Sequence, residues 1–169
     1  MTTHNTHYYS LMASPMGQLL LVGNGEALTG LKLDTQLLPD VAGDDRFQQD
    51  DSLFREAKAQ LEAYFAGELF SFNLPLAGEG TPFQKTVWQA LQDIPYGLTE
   101  TYGGLARRIG NNKASRAVGL ANGKNPIAII VPCHRVIGAN GALTGYSGGI
   151  ERKQWLLAQE QKYLGHSTL

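Results

Sequence analysis

The chain has 169 residues, of which 43% are hydrophobic, 17% charged and 9% aromatic. That length suits one domain or two small ones with a buried core, and the composition excludes a disordered chain. A single cysteine, Cys133, excludes an internal disulfide framework and any multi-cysteine zinc site. No apolar run approaches the length of a membrane span, and the polar first ten residues give no expectation of a secretory signal.

The net charge of −1 hides a split. Up to Phe83 there are 4 Lys+Arg against 11 Asp+Glu, and from Gln84 onward 10 against 4. A basic half points towards a polyanionic partner, although two solvated surfaces of opposite sign would give the same arithmetic.

In chain order, the runs Tyr8–Ala13, Gln18–Val22 and Ala27–Leu33 read as three short strands of an antiparallel meander. Their breaks are Ser14-Pro15-Met16-Gly17 and Gly23-Asn24-Gly25, the second holding an Asn-Gly hairpin signal. The acidic stretch from Leu38 to Asp51 reads as a surface loop. Leu53, Phe54, Ala57, Leu61, Tyr64 and Phe65 recur at helical spacing, which predicts a helix over Ser52–Ala66, stopped by Gly67. Asn73 to Gly80 reads as a linker. His4 and His7 are isolated, and no chemical constellation forms in this half.

Thr81-Pro82 is a helix start, and Phe83, Val87, Trp88 and Leu91 form an apolar stripe behind it. A short helix is predicted from Gly103 to Ile109, closed by Gly110, and a second from Ala114 to Asn122 after the turn Asn111-Asn112-Lys113. This is the pattern of a helix-turn-helix, and equally of an ordinary pair of packed helices. Ala114, Ala117, Val118 and Ala121 are expected to face the core. Arg116, Gly119, Leu120 and Gly123 then face outward, where small residues beside one long cation suit a DNA groove.

Ile127 to Val131 is a continuous apolar run and reads as a buried strand ending in Pro132-Cys133-His134-Arg135. Cysteine followed by histidine is a nucleophile placement, because the thiolate is the reactive form and a nearby base supplies it. Side chains adjacent on a strand point apart, so a turn after Pro132 is required. A buried structural cysteine beside a satisfied histidine is the other reading. On the last predicted helix, Glu151–Leu164, Glu160 falls on one stripe with Leu156, Leu157 and Leu164. A buried carboxylate needs a partner. It can orient a histidine base, or it can pair with Arg135 or another cation as a structural salt bridge. Lys153 shares that stripe. Between Cys133 and this helix, five glycines in twelve residues from Gly138 to Gly149 make a loop whose amides can face a ligand, with Tyr146 available as a pocket wall.

These residues resemble the O6-alkylguanine-DNA alkyltransferases, also called methylated-DNA–protein-cysteine methyltransferases. The resemblance runs through Thr101-Tyr102-Gly103, Arg116-Ala117-Val118-Gly119, Ala121-Asn122, Asn125-Pro126-Ile127, Val131 to Gly138 with Pro-Cys-His-Arg-Val at its centre, Gly145 to Gly149, Trp155-Leu156-Leu157 and Glu160. It covers residues 81–164, and the first half is similar only in its strands-then-helix pattern. It implies an α+β fold: a three-stranded antiparallel sheet plus helix in a structural domain, residues 1–79, and a mainly helical DNA-binding and alkyl-transfer domain, residues 80–169.

The resemblance further implies direct-reversal repair of O6-alkylguanine in double-stranded DNA, with O4-alkylthymine a further candidate substrate. Cys133 is the acceptor, His134 its base through a water, and Glu160 the orienter of His134. Arg116 is a finger filling the place of a flipped nucleotide, and Tyr102 crowds the adjacent phosphate. Ala117 and Gly119 lie on the DNA-binding helix. Tyr146 bonds the guanine ring and donates a proton to the leaving base. The backbones of Val136 and Ser147 read the base, Asn125 is a hinge, and Lys153 supports the pocket. A flipped base costs a few kcal/mol of stacking, which an inserted side chain partly offsets. A thioether is a poor leaving group, so each chain is expected to react once.

A cytoplasmic monomer without cofactor, metal or membrane partner is expected, of the compact zinc-free prokaryotic type. The turn Asn111-Asn112-Lys113 departs from the proline found there in many members. Two other functions remain as alternatives. A non-catalytic sensor of alkylated DNA is disfavoured by Cys133, and a Cys-His hydrolase leaves Arg116 and the basic half unexplained.

Overall fold

The computed structural model describes residues 6–33, 43–146 and 148–167. The chain divides into two compact units, Met1–Gly78 and Glu79–Leu169. No helix among the described residues is long and apolar enough to cross a membrane.

The first unit is built on β1 (His7–Ser14), β2 (Gly17–Gly23) and β3 (Leu28–Lys32), paired antiparallel in sequence order. Ser14 closes the first turn, its hydroxyl donating to the Gly17 carbonyl at 2.6 Å and accepting from the Met16 amide. Asn24 closes the second, its side-chain oxygen accepting from the amides of Glu26 and Ala27 at 2.9 and 2.8 Å. Leu19, Leu20 and Leu21 are all buried, because β2 is covered on both faces. Helix α1 (Arg55–Phe65) packs against β1 and buries Ala57, Leu61 and Tyr64.

The sheet departs from expectation at both edges. Its order is β3-β2-β1-β4, where β4 (Phe47–Gln49) runs parallel to β1 inside the stretch expected to be a loop. His7 stacks on Phe47 across that pairing, with ring centroids 5.0 Å apart. Residues 38–42 of the expected loop lie outside the described residues. At the other edge the expected linker is tied down: Leu28 donates to the Pro75 carbonyl at 2.9 Å, and Ala77 donates to the Leu28 carbonyl at 2.7 Å. This segment satisfies an otherwise open strand edge. The helix also starts later than its periodicity suggests, since Asp50 caps a 3-10 turn over Asp51–Phe54 ahead of α1.

The second unit opens with α2 (Pro82–Leu91). Thr81 and Gln84 form a reciprocal capping box, with proline in the first turn. Phe83, expected on the apolar stripe, is exposed, while Val87, Trp88 and Leu91 are buried. Two-residue β5 (Glu100–Thr101) leads into α3 (Tyr102–Arg108), capped by the Thr101 hydroxyl. Gly110, at φ +86°, ends the helix-turn-helix's first arm, and α4 (Ser115–Gly123) follows. Helix α4 packs on both α2 and α3, and the Trp88 indole N–H donates to the Ala121 carbonyl at 2.8 Å.

Ala114, Val118 and Ala121 face the core as expected, but Ala117 is exposed and Asn122 is buried in its stead. Alanine carries too little apolar surface to fix a helix's rotation, and the Asn122 amide is drawn inward by the Cys133 carbonyl at 3.3 Å. β6 (Val136–Ile137) pairs in parallel with β5, and α5 (Ile150–Ser167) closes the unit.

Candidate active site

Ile127 to Val131 is buried throughout but is not a strand. Asn125, immediately after α4, folds the run into turns: its side-chain oxygen accepts from the Ile127 amide at 3.0 Å, and its amide donates to the carbonyls of Val131 at 2.8 Å and Ile127 at 3.4 Å. Ile129 takes φ +70° to make this path. A β-branched residue in the left-handed region is strained by roughly 1–3 kcal/mol, a cost the surrounding packing and Asn125 must offset. Apolar runs do not distinguish strand from knotted turn, and the polar clamp lies outside the run itself.

The chain leaves this knot through Pro132 into a 3-10 turn, Cys133–Arg135. The turn that a Cys-His pair requires is therefore present. Cys133 keeps 5% of its surface, while His134 and Glu160 keep none. Nε2 of His134 lies 2.7 Å from Oε2 of Glu160. A carboxylate only accepts, so Nε2 carries the proton and Nδ1 is left as the acceptor. Nδ1 is buried and has no hydrogen-bond partner among the described residues.

Glu160 also receives the Arg135 guanidinium, from Nε to Oε1 at 2.8 Å and from Nη2 to Oε2 at 3.0 Å, and the Gly97 amide at 3.2 Å. The two arrangements left open by the sequence, a histidine orienter and an Arg135 salt bridge, thus occur on one carboxylate. Arg135 is completed by the Ile94 carbonyl at 2.7 Å and lies 5.7 Å from the Tyr96 ring centroid. Burial alone would raise the Glu160 pKa, but the His134 and Arg135 contacts outweigh it and hold the carboxyl well below the usual range. Burial lowers the His134 pKa below 6.5, against the pull of Glu160 and with help from the Arg135 and Lys153 charges. The resting arrangement is a neutral imidazole between an ionised carboxylate and the cysteine turn.

Lys153 is fully buried, donating to the Val136 carbonyl at 2.6 Å and the Thr144 carbonyl at 2.9 Å. It thereby joins α5 to the strand after the cysteine and to the glycine-rich loop. Burial lowers its pKa, partly countered by Cys133. Tyr146 is buried on that loop, and its hydroxyl has no hydrogen-bond partner among the described residues. Burial, and then proximity to Cys133, push its pKa well above 10, so it remains a proton donor. Ser147 lies outside the described residues.

Tyr102 opens α3 and donates to the Thr144 carbonyl at 3.1 Å. A Cβ on Gly119 would come within 3.7 Å of its ring, and one on Gly145 (φ +70°) within 3.2 Å of its hydroxyl. Arg116 and Ala117 are exposed on α4, one turn from Leu120, which is 67% exposed. The structure thus joins His134 to Glu160 and places Cys133 on the same 3-10 turn as His134, while Arg116 and Ala117 stand on the outer face of α4. Asn122 and Arg135 were missed as site residues. Arg135 had a signal, since a buried glutamate on an apolar stripe demands a cation, but sequence did not tell which of two partners it held.

A buried cysteine, followed in sequence by an imidazole held on a buried carboxylate, stands in the same unit as a helix-turn-helix. The family model described as 6-O-methylguanine DNA methyltransferase, DNA binding domain matches residues 82–162, and the ribonuclease-like domain model of the same family matches residues 7–77. The chain belongs to this family. It is 57% identical over 153 residues to the methylated-DNA–protein-cysteine methyltransferase of Methanosarcina acetivorans, covering 90% of this chain and 97% of that one. With the protein of that name from Mycobacterium tuberculosis it shares 53% over 154 residues, covering 91% and 92%. The crystal structure of Mycobacterium tuberculosis O6-methylguanine methyltransferase superposes with a TM-score of 0.85 at 51% identity, over 94% of each chain. That of Mycobacterium tuberculosis OGT in complex with DNA gives 0.83 at 49%, over 92% of this chain and 94% of that one.

Proposed function

We propose that this protein repairs DNA by direct reversal, moving the alkyl group of O6-alkylguanine in duplex DNA to Cys133. The observation that carries this reading is the buried His134–Glu160 pair on the turn that holds Cys133, in a chain of the methyltransferase family, with Nδ1 buried and without a hydrogen-bond partner among the described residues. The proton of Sγ passes through a water to Nδ1, and sulfur attacks the alkyl carbon in line with the breaking carbon–oxygen bond. The pair of electrons leaves on O6 of guanine, and the Tyr146 phenol supplies a proton to the departing base.

The target carbon is out of reach inside a stacked duplex, so the nucleotide must leave the stack. Arg116, exposed on α4, fills its place from the minor groove, with Ala117 and Gly119 allowing close approach. Tyr102 crowds the neighbouring phosphate. The backbones of Val136 and Ser147 read the base, Lys153 holds the pocket wall through Val136 and Thr144, and Asn125 joins the DNA-reading helix to the cysteine turn. Residues 80–169 carry binding and chemistry, and residues 1–79 are structural. A reducing compartment suits an acceptor thiol, which supports a cytoplasmic location.

The thioether product offers no leaving group for hydrolysis, so the reaction stops after one event per chain. Titrating the protein against duplex DNA with one labelled O6-methylguanine should transfer at most one label per chain. Continued transfer from excess DNA would overturn the reading and favour a turnover enzyme.

A further inference from the structure

Helix α4 carries two glycines four residues apart, Gly119 and Gly123, and both are half-buried while Arg116, Ala117 and Leu120 beside them are exposed. Glycine weakens a helix relative to alanine, so the pair needs a reason. The reason lies within this chain, where the missing side chains make room. A Cβ on Gly119 would meet the Tyr102 ring at 3.7 Å, and one on Gly123 would meet the Gly145 carbonyl at 4.0 Å. Tyr102, at the start of α3, and the glycine-rich loop therefore lie along the same face of α4. Tyr102 bridges the two, its ring against Gly119 and its hydroxyl donating to the Thr144 carbonyl at 3.1 Å. Gly145, at φ +70°, passes that hydroxyl so closely that a Cβ would lie 3.2 Å from it.

The Thr144 carbonyl thus receives two donors. Lys153 reaches it at 2.9 Å in a half-buried bond, and Tyr102 reaches it in an exposed one. The loop's own backbone bonds, from Gly138 to Ala142 and from Gly141 to Gly138, stay within the loop and do not tie it to the helices. Two residues after Thr144 comes Tyr146, the buried phenol of the pocket. Whatever fixes Thr144 therefore fixes where Tyr146 begins.

We propose that Tyr102 is a positioning residue for the pocket loop: through its bond to the Thr144 carbonyl it holds the Thr144–Tyr146 segment against α4 before any DNA is present. This task is separate from crowding a phosphate. One side chain on the DNA-facing side of the unit then also orders the wall that receives the base. The inference rests on the reading of that wall as the guanine site, but its test works without DNA.

Tyr102→Phe keeps the ring on Gly119 and removes one oxygen from an exposed bond, so the fold is retained. In the DNA-free protein, amide hydrogen exchange followed by mass spectrometry should quicken about threefold to tenfold in peptides spanning 138–146, the worth of one neutral hydrogen bond, and stay unchanged in peptides of α2. Free O6-benzylguanine carries no phosphate, so a residue that only crowds a phosphate has no effect on its reaction. In single-turnover labelling of Cys133, Tyr102→Phe should raise the half-saturating concentration of O6-benzylguanine by a similar factor, because only the ordered fraction of the loop binds, and leave the limiting rate within about twofold. An unchanged half-saturation, whatever the limiting rate does, would overturn the proposal. Unchanged loop exchange would do the same, as would a rise shared equally by α2, which would mark general loosening. Failure of the wild-type protein to react with either the free base or methylated duplex would instead sink the functional reading, and the exchange comparison would still decide the role of Tyr102.

Discussion

Replacing Glu160 by glutamine probes the network at its centre. The carboxylate accepts hydrogen bonds from His134, twice from Arg135 and from Gly97, all in a buried setting. Glutamine has one acceptor oxygen and one donor amide. If the oxygen stays with Arg135 Nε and Gly97, the amide faces both His134 Nε2–H and Arg135 Nη2–H, donor against donor. The imidazole can escape only by moving its proton to Nδ1, which removes the acceptor that the thiol needs. In a comparable triad that tautomer reversal costs about 10^4 in rate. The Arg135 charge is also stranded, and breaking a buried ion pair from one side costs about 3–5 kcal/mol. For a unit of this size each kcal/mol lowers Tm by about 4–8 °C.

We therefore expect Glu160→Gln to slow single-turnover transfer from free O6-benzylguanine by about 10^3-fold or more and to melt at least about 12 °C lower. The rate is to be taken below the variant's melting point, with folding checked by circular dichroism. A variant that reacts within tenfold of wild type and melts within a few degrees of it would refute the reasoning.

Acid should destabilise the fold in two stages. The unfolded chain protonates His134 near its usual 6.5, and the folded chain does so only at lower pH, so the contribution of the neutral imidazole is complete above 6.5 and is lost as pH falls below it. The depressed carboxyl of Glu160 contributes fully above its usual 4.5 and less as pH falls further. Urea midpoints measured from pH 7.5 to 4 should decline across that range, and a constant midpoint between 7.5 and 5 would contradict the buried neutral histidine. Asn125→Ala removes three hydrogen bonds that close the 127–131 turn and should cost about 2–3 kcal/mol with slower transfer, as read by denaturant unfolding and the benzylguanine assay. Unaltered stability would show that packing alone holds the turn. Arg116→Ala should slow repair in duplex DNA far more than reaction with free O6-benzylguanine, because the arginine is exposed on α4 whereas Cys133, His134 and Glu160 are buried. Equal losses on both substrates would remove Arg116 from nucleotide flipping.

Much of the second unit was legible because its signals are local. Thr81-Pro82 at a helix start, Gly110 at a helix end and the Lys153–Leu156–Glu160 spacing each report on neighbours within two turns. What escaped depended on distant partners. β4 exists because Phe47–Gln49 finds β1 across the loop, and no alternation in three residues announces it. The strand expected at Ile127–Val131 failed because Asn125, outside the run, takes its backbone groups and bends it. Ala117 turned outward because a polar Asn122 met a carbonyl that sequence could not place. Glu160 was expected to need a partner, yet the choice between His134 and Arg135 could not be made in one dimension, where neither distance nor burial is visible, and the structure uses both.

Where the alkyl group ends up is the most direct test. After incubation with duplex DNA bearing O6-methylguanine, peptide mapping by mass spectrometry should find one methyl group on the peptide containing Cys133, guanine restored in the DNA, and no gain in mass in Cys133→Ser. A methyl group on any other residue, or restored guanine with Cys133 unmodified, would contradict the account.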